Sequence, residues 1–424
     1  MKTIEILGAN RFDTYTKIRD GSRAVIVRDD KILLSHETVS GWWLIPGGGT
    51  EKGETPEECV IREVEEETGL IVRPTEQFLT LHEYYEEYRY TSYYFVCEVS
   101  SEAQMKLTDE EKRRGLVPEW IPLQEAIDLF SKHESYAETS EEKRGAYQRE
   151  YMALCEYMNC LLEKTLPDRI FRLVEGRSYR LDHIGMSASR IMIFEDSVLK
   201  ITPCNRENEE TLRMMKWLEG KLPVPKVIAY EKDDAYQYLL MSKVKGRMSC
   251  DAYFLEHPKE LLDILAKALK MLWSVDISDC PRSRDLEAKL SEAGYRVENK
   301  LVDMDHAEPS TFGKEGFKDP QELLDWLYAN KPDCEPVLSH GDFCLPNIFI
   351  EEGSISGFID LGDTGVGDKW RDIALCYRSL KHNFDGSYGG KSYPDFDPDM
   401  LFDALGIEPD REKLRYYILL DELF

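Results

Sequence analysis

A helix that ends before a proline divides this sequence into two parts with different patterns, and no other feature constrains the fold as much. Thr139 and Glu142 form a predicted capping box, helical spacing continues to about Lys164, and Pro167 follows. Before this break, short apolar runs alternate with turns around one helix; after it, hairpins give way to long helical segments. A chain of 424 residues also exceeds one ordinary core. The sequence therefore predicts an α+β protein of two domains.

The helix predicted over residues 139–164 is either a rigid spacer or the last helix of the first domain. Its apolar stripe, which includes Tyr147, Leu154 and Met158, favours docking on a domain. We predict a first domain over residues 1–165 and a second over 168–424. The second domain is expected to have a strand-rich N-terminal lobe (168–246) and a larger helical C-terminal lobe (247–424).

Composition narrows the possible partners. The formal net charge is -27 and the isoelectric point is near 4.8, which argues against nucleic acid or an anionic membrane and favours cationic ligands or metal-chelated anions. Ten cysteines without a CxxC pair predict reduced thiols. No apolar run reaches about 18 residues, so we expect no signal peptide, no membrane span and a cytoplasmic location.

The segment REVEEETGL crowds glutamates onto one predicted helix. Thr55, Pro56 and Glu58 supply a helix start and Gly69 a stop. Within that helix Glu63, Glu66 and Glu67 share one arc and repel each other unless a cation lies among them, whereas Glu65 points elsewhere. Clustered oxygen ligands suit Mg²⁺ or Mn²⁺. Gly48 permits close backbone approach to such a metal.

The spacing Gly48, Glu54, Arg62-Glu63-Val64-x-Glu66-Glu67-x-Gly69-Leu70 resembles the Nudix box at every defined position. The resemblance covers about residues 15–130 and implies an α/β/α sandwich that cleaves a nucleoside diphosphate derivative with Mg²⁺ (or Mn²⁺). It implies metal ligation by Glu63, Glu66 and Glu67, with Glu66 central to catalysis. Glu54 and Arg62 are implied to orient the helix. The general base stays unassigned.

A second group of polar residues flanks a predicted hairpin in VLSHGDFCLPNIFIEEGSISGFIDLG. If the hairpin is symmetric about Gly353 and Ser354, Asn347 lies opposite Asp360, and Asp342 precedes the first strand. An acid that accepts a hydroxyl proton, with Asn and Asp on Mg²⁺, is the arrangement of kinases.

Upstream residues complete this pattern. Lys200 lies in a predicted strand where a kinase pairs lysine with nucleotide phosphates. The loop with Met186 and Ser187 could cover those phosphates. Met241–Val244 would be the hinge whose backbone reads the adenine.

From about Phe171 onward the sequence closely resembles aminoglycoside 3′-phosphotransferases, through WLEGKLPVPKV, VDISDCP, SHGD, GFIDLG, GDKWRDIA and YYILLDELF. The resemblance implies a bilobal protein-kinase-like fold that transfers phosphoryl from ATP or GTP to a hydroxyl of a cationic aminoglycoside. Asp342 is implied as catalytic base, Asn347 and Asp360 as metal ligands, and Lys200 as phosphate lysine. Asp421, Glu422 and the Phe424 carboxylate are implied to bind the acceptor's ammonium groups.

Three positions depart from the family. Thr211 stands where relatives have a helix glutamate. One of three nearby glutamates could substitute for it: Glu207, Glu209 or Glu210. Leu345 replaces an acidic residue of the relatives, and Asp363 replaces a basic one. The leading hypothesis is a bifunctional enzyme with an aminoglycoside acceptor, and no nucleic acid or membrane partner. The alternatives are a kinase for another metabolite and a pseudokinase that regulates the first domain.

Overall fold

The computed structural model describes residues 2–8, 15–85, 87–182, 190–304, 307–308, 310–313, 316–388 and 390–424. The chain forms two compact units, residues 1–181 and 182–424. Whether the functional boundary lies near residue 167, as the sequence suggested, stays a prediction. Within the described ranges, no helix has the length and apolar character needed to cross a membrane. The ten cysteines are free thiols, and three of them are buried.

The first unit contains nine strands and five helices among its described residues. The strands are β1 (Lys2–Leu7), β2 (Lys17–Val25), β3 (Val27–Arg28), β4 (Lys31–Glu37), β5 (Trp42–Leu44), β6 (Gly47–Gly49), β7 (Leu70–Tyr85), β8 (Tyr88–Glu102) and β9 (Leu116–Pro122). The helices are α1 (Pro56–Thr68), α2 (Asp109–Arg114), α3 (Leu123–Phe130), α4 (Glu141–Thr165) and α5 (Asp168–Val174).

Helices cover both faces of the first unit's main sheet. Its strand order is β1-β7-β8-β2-β6, with parallel β1–β7 and β8–β2 pairs, and β4 pairs with β3, β5 and β9 in a second sheet. Neighbouring strand residues point to opposite faces: Phe95 packs in the core that contains Val64 of α1, and Tyr94 packs in the core that contains Leu154 of α4. This layered arrangement confirms the predicted α/β/α sandwich.

Helix α4 docks on the first unit, which decides between the two alternatives left open by the sequence. Its Tyr147 and Leu154 are buried with the sheet residues of the same core. The predicted cap at Thr139 is wrong by one residue, because the Ser140 hydroxyl accepts from the backbone of Lys143 instead. Thr139 bonds back to the Tyr136 carbonyl.

The second unit has a strand-rich first part and a helical second part, as predicted. Strand β10 (Arg180–Asp182) spans the junction of the units. The later strands are β11 (Arg190–Ile193), β12 (Ser197–Pro203), β13 (Val227–Lys232), β14 (Tyr236–Ser242), β15 (Arg247–Met248), β16 (Pro336–Ser339), β17 (Ile348–Glu351), β18 (Ser354–Phe358) and β19 (Gly365–Asp368). The helices are α6 (Arg206–Leu218), α7 (Ala252–Glu256), α8 (Pro258–Trp273), α9 (Leu286–Glu298), α10 (Pro320–Ala329), α11 (Lys369–Asp385), α12 (Met400–Leu405) and α13 (Arg411–Asp421).

Long-range pairing positions the second unit's polar residues. Antiparallel pairing gives the order β11-β12-β14-β13, and β16 pairs with β19. Helices α8, α11 and α13 contribute much of one continuous core, in which Leu265, Ile373 and Leu420 are buried. Short 3-10 turns at Leu345–Asn347 and Leu361–Asp363 follow the loops that carry the candidate site.

The hairpin β17–β18 has a different register from the predicted one. Glu351 pairs with Ser354, so Glu352 and Gly353 form the two-residue turn, and a bulge lies between Phe349 and Ile350. Asn347 consequently lies beside Ile359, whose backbone N–H donates to the Asn347 carbonyl at 3.0 Å. The predicted Asn347–Asp360 pairing is wrong by one residue, because the turn lies one position earlier than predicted and the bulge offsets only part of that shift.

Candidate functional site

The acidic helix of the first unit begins and ends where the sequence predicted. The Thr55 hydroxyl accepts from the backbone of Glu58, the Glu58 carboxylate accepts from the backbone of Thr55, and Gly69 ends the helix in a left-handed conformation. Val60 and Val64 are fully buried. The helix is therefore fixed at both ends, with these valines in the core.

One guanidinium organises these glutamates. Arg62 bonds Glu54 through both carboxylate oxygens, at 2.8 and 3.0 Å, and reaches Glu63 at 2.8 Å and Glu66 at 3.2 Å. It also donates to the Gly49 carbonyl at 3.0 Å. The hydrogen bonds from Arg62 hold the pKa of Glu54 below its usual range. The helix is thereby tied to the glycine turn before it.

Glu67 faces a different direction from Glu63 and Glu66. Its Oε2 accepts from the Ser35 hydroxyl at 2.8 Å and from the Gly47 N–H at 3.2 Å. Burial raises its pKa to about 7, against the effect of those two bonds. Glu65 pairs with Lys106 at 2.7 Å, which fits the prediction that it lies outside the charged arc.

The residues of this site suit a divalent cation through their chemistry. A Cβ at Gly48 would lie 2.4 Å from Glu63 Oε2, so only glycine lets the backbone lie against that carboxylate. Carboxylate and carbonyl oxygens are the ligands that Mg²⁺ prefers, and it takes one or two protein side chains alongside phosphates. Among the described residues, no group of three or more His, Cys, Asp or Glu converges as a complete protein cage. Shared ligation by Glu63, Glu66 and Glu67 stays a prediction.

A cleft of about 720 Å³ opens beside the same glycine turn. Its lining includes Gly48, Gly49, Arg19, Trp42 and Tyr90. A Cβ at Gly49 would lie 3.7 Å from Arg19 Nη2. Within the described part of the chain the Arg19 side chain makes no ion pair or hydrogen bond, so its charge can meet an anion.

In the second unit, the structure brings the predicted kinase residues together as two pairs. Asn347 Nδ2 donates to Asp342 Oδ2 at 2.8 Å and to the Asp342 carbonyl at 3.0 Å. Lys200 Nζ, on β12, lies 3.7 Å from Asp360 Oδ1. Because the amide nitrogen of Asn347 faces Asp342, its amide oxygen is left for another partner.

The loop that carries Asp342 rests on residues that the sequence reasoning did not single out. Asp372 is fully buried and accepts from the Ser339 hydroxyl at 2.9 Å and from the backbones of His340 and Gly341 at 2.8 and 2.9 Å. The buried His340 ring contacts the Asp342 N–H at 3.3 Å and the Ile359 carbonyl at 3.0 Å. Asp372 lies in the quoted stretch GDKWRDIA, but its burial could not be read from that stretch.

The predicted nucleotide contacts are only partly described. Val244 lies just after β14 and is half-buried against Gly357, where a Cβ would meet its side chain at 2.5 Å. Met186 and Ser187 lie outside the described residues. The suggestion that Glu207, Glu209 or Glu210 pairs with Lys200 is wrong for this structure, because all three contact other cations.

The C-terminal acids are already paired with arginines. Arg378 contacts Asp421 and also Glu422, the latter at 3.1 Å. Arg296 donates to Phe424, and Lys289 Nζ lies 3.4 Å from the Phe424 ring centre. Burial raises the pKa of the Glu422 carboxyl. A cationic acceptor would have to share or displace these internal cations.

Two of the predicted departures from the family, Leu345 and Asp363, have a structural setting. Leu345 is fully buried in the core, where an acidic residue would be costly. Asp363 contacts Arg371, Arg284 at 2.8 Å and Lys289 at 3.1 Å, and the attraction of these cations outweighs burial and lowers its pKa to about 2.

Two family models match the chain, in the order expected from its motifs. The model described as NUDIX domain matches residues 18–142, and the model described as Phosphotransferase enzyme family matches residues 187–417.

Known relatives match the second part of the chain. The chain is 41% identical over 280 residues to an aminoglycoside 3′-phosphotransferase of Enterococcus faecalis, which covers 64% of this chain and 99% of that protein. It is 40% identical over 277 residues to the one of Staphylococcus aureus, with the same two coverages. The fold is similar to an aminoglycoside phosphotransferase from Streptomyces rimosus (TM-score 0.52, 23% identity, 61% of this chain, 99% of that chain). A second structure of the Streptomyces rimosus enzyme is a complex with ADP and streptomycin.

Proposed function

The chain belongs to the phosphotransferase enzyme family and carries a NUDIX domain before it, and we propose that it is a bifunctional enzyme. Its second unit would transfer the γ-phosphoryl group of ATP or GTP to a hydroxyl of a small molecule, with an aminoglycoside as the first acceptor to test. Its first unit would hydrolyse a nucleoside diphosphate derivative. The geometry of Asp342 and Asn347 is the main support for the kinase activity.

In the proposed transfer, Asp342 accepts the proton of the attacking hydroxyl. Asn347 fixes one carboxylate oxygen of Asp342 through its 2.8 Å hydrogen bond, which leaves the other oxygen for the acceptor. Lys200, 3.7 Å from Asp360, supplies the positive charge for the nucleotide phosphates. Mg²⁺ (or Mn²⁺) held by Asn347 and Asp360 would neutralise charge on those phosphates. The loop with Met186 and Ser187, and Val244, are proposed to contact the nucleotide.

The acceptor is proposed from the relatives' names and from the acids at the C-terminus. Asp421 and Glu422 offer negative charge to ammonium groups, and Phe424 is proposed to lie beside the acceptor. Because Arg378 and Arg296 already contact these groups, an acceptor with fewer positive charges than an aminoglycoside is the second candidate. A buried Leu345 at a position that is acidic in relatives favours the same candidate.

The test is an acceptor screen with the full chain, Mg²⁺ and either ATP or GTP, in which mass spectrometry detects phosphorylated product. The panel contains kanamycin, monoamino sugars, neutral sugars and nucleosides. We expect phosphorylated kanamycin and a rate about 10³-fold lower in Asp342→Asn, with Mg·ADP binding retained. Turnover of a monoamino or neutral acceptor alone would select the second candidate. Nucleotide binding without any turnover would support the pseudokinase alternative.

The proposed hydrolase rests on the acidic helix and on the cleft beside it. Arg19 and the N–H groups of the glycine turn would hold the diphosphate, while Arg62 and Glu54 keep the helix against that turn. Mg²⁺ bound by Glu63, Glu66 and Glu67 would polarise the phosphates and activate water.

A matched pair of variants tests this assignment. We expect Glu66→Gln to abolish Mg²⁺-dependent hydrolysis across a panel of nucleoside diphosphate derivatives. Glu65→Gln is the control, because Glu65 is on the same helix but pairs with Lys106. Equal activity in the two variants would show that the metal assignment is wrong.

A further inference from the structure

Helix α6 is linked to the catalytic region in an unusual way. Kinases commonly join this helix to the strand lysine through a glutamate. Here Thr211 occupies the glutamate position, and its hydroxyl donates to the Glu207 carbonyl at 2.9 Å within its own helix. The ion partner of Lys200 among the described residues is Asp360. Another contact must therefore hold α6 against the site.

Arg284 provides such a contact from outside the helix. Its guanidinium lies 2.8 Å from Asp363 Oδ1, 3.2 Å from Glu292 of α9 and 3.5 Å from Glu207 of α6. Arg284 is 13% exposed and Asp363 is 21% exposed, so solvent screens their contact less than it screens a surface ion pair. Glu292 and Glu207 are more exposed, at 36% and 56%, so their contacts with Arg284 are the weaker ones. One arginine thus joins two helices to the turn that follows Asp360.

Arg282 is a second arginine that needs negative charge from α6. Its side chain is buried, and none of its three guanidinium nitrogens has a hydrogen-bond partner within the described residues. Its ion contacts are with Glu210 at 3.6 Å and Glu207 at 4.0 Å. A buried guanidinium without compensating charge is costly, so these two glutamates favour the docked position of α6.

Asp363 connects these arginines to Asp360 of the candidate site. The 3-10 turn Leu361–Asp363 begins directly after Asp360, whose backbone is left-handed (φ 55°). A non-glycine residue keeps this conformation only where its surroundings hold it there. Arg284, Arg371 and Lys289 hold the far end of the turn through Asp363.

We propose that Asp363 and Arg284 are positioning residues that, with Arg282, fix α6 and Asp360 relative to each other in place of a helix glutamate paired with Lys200. This inference rests on the proposed phosphoryl transfer. It accounts for two departures from the relatives together: Thr211 needs no carboxylate, because Glu207 and Glu210 provide the anchor. An aspartate at 363 supplies the anion that the arginines require.

The test compares two variants of the full chain that change charge on the same helix. Glu207→Gln/Glu210→Gln removes the anions next to Arg282 and Arg284. Glu209→Gln is the control, because Glu209 pairs with Lys232 at 2.7 Å, away from both arginines. We expect the double variant to weaken Mg·ADP binding and to raise KM for ATP by about three- to tenfold. KM for the acceptor should stay unchanged in both variants.

Hydrogen exchange measured by mass spectrometry gives a readout that does not need an acceptor. We expect faster exchange in α6 and in residues 361–363 of the double variant only. A double-mutant cycle of Glu207→Gln with Arg284→Gln should be non-additive, since either change breaks the same contact.

The outcomes distinguish failure of the positioning role from failure of the proposed phosphoryl transfer. Unchanged exchange and unchanged Mg·ADP affinity in the double variant, or effects equal to those of Glu209→Gln, would overturn the positioning role. If the wild-type chain binds no Mg·ADP, the proposed transfer fails, and exchange in α6 and residues 361–363 still reports whether the link exists.

Discussion

In the first unit, the glutamates that Arg62 contacts lie on one helix and in the turn before it, and one hydrogen-bonding residue holds them. In the second unit the site residues come from separate elements: Lys200, Asp342, Asn347 and Asp360. Their support comes from residues distant in sequence, such as Asp372 and Arg284. A site built within one helix is fixed by spacing, whereas an assembled site depends on the packing of the whole unit.

The difference has an energetic side. Arg62 and its glutamate partners are 13–37% exposed and lie on one capped helix and the turn before it, so we expect changes there to affect charge balance more than core packing. Asp372 and His340 are fully buried beneath the loop of Asp342. A change at Asp372 leaves buried N–H groups unpaired, which lowers the free energy of unfolding of the second unit. We therefore expect changes in the supporting residues to affect stability in the second unit and activity in the first.

Removing the buried anchor should have the largest effect. In Asp372→Asn, an amide replaces a carboxylate that accepts three hydrogen bonds, so at least one buried N–H loses its partner. We expect the second unit to lose about 2–3 kcal/mol of unfolding free energy while the first unit is unchanged. Hydrogen exchange in urea, followed by mass spectrometry, measures both units in one sample.

The matched control for this change is Asp403→Asn, an exposed aspartate in the first turn of α12. It should change stability by less than about 0.5 kcal/mol. If Asp372→Asn changes the stability no more than this control does, the loop of Asp342 does not depend on buried support. The proposed contrast between the two sites would then be wrong.

The second prediction concerns the local site. In Arg62→Met, Glu54, Glu63 and Glu66 lose their shared cation and repel each other. We expect hydrolysis at limiting Mg²⁺ to fall by about 10–100-fold, because residues that orient metal ligands have effects of this size. Kinetics as a function of Mg²⁺ concentration provides the measurement. Recovery of the hydrolysis rate at high Mg²⁺ would sharpen the comparison between the two sites. Global unfolding of the variant would contradict the local character of the Arg62 site.

How far the sequence could predict each site follows from the same contrast. The start and end of α1 were predicted correctly, because Thr55, Glu58 and Gly69 act within one or two turns of helix. The chemistry of Asp342 and Lys200 was suggested by their order along the chain. The residues that support this site could not be predicted. Asp372 is 30 or more positions from the loop it holds, and no periodicity in the sequence reveals such a contact.

Errors occurred where two local solutions were nearly equivalent. Thr139 and Ser140 are both good helix caps, and only the observed bond to Lys143 distinguishes them. The turn of β17–β18 could lie at Gly353-Ser354 or Glu352-Gly353, and the bulge between Phe349 and Ile350 brings Asn347 back to within one residue of its predicted partner. Charge pairing was equally unreadable, because Arg378 lies 43 positions from Asp421.

The smallest effect we predict tests that hairpin, the one local element of the assembled site. Glu352 and Gly353 have φ values of 49° and 71°, which a two-residue type I′ turn requires, and glutamate is strained there. Glu352→Asn should stabilise the second unit by about 0.5 kcal/mol, since asparagine tolerates this conformation better. Urea unfolding gives the value, with Gly353→Ala as the opposite, destabilising control. Because the register is already set, phosphoryl transfer should stay within about twofold; a larger loss of activity would mean that the turn, and not the distant packing, positions Asn347.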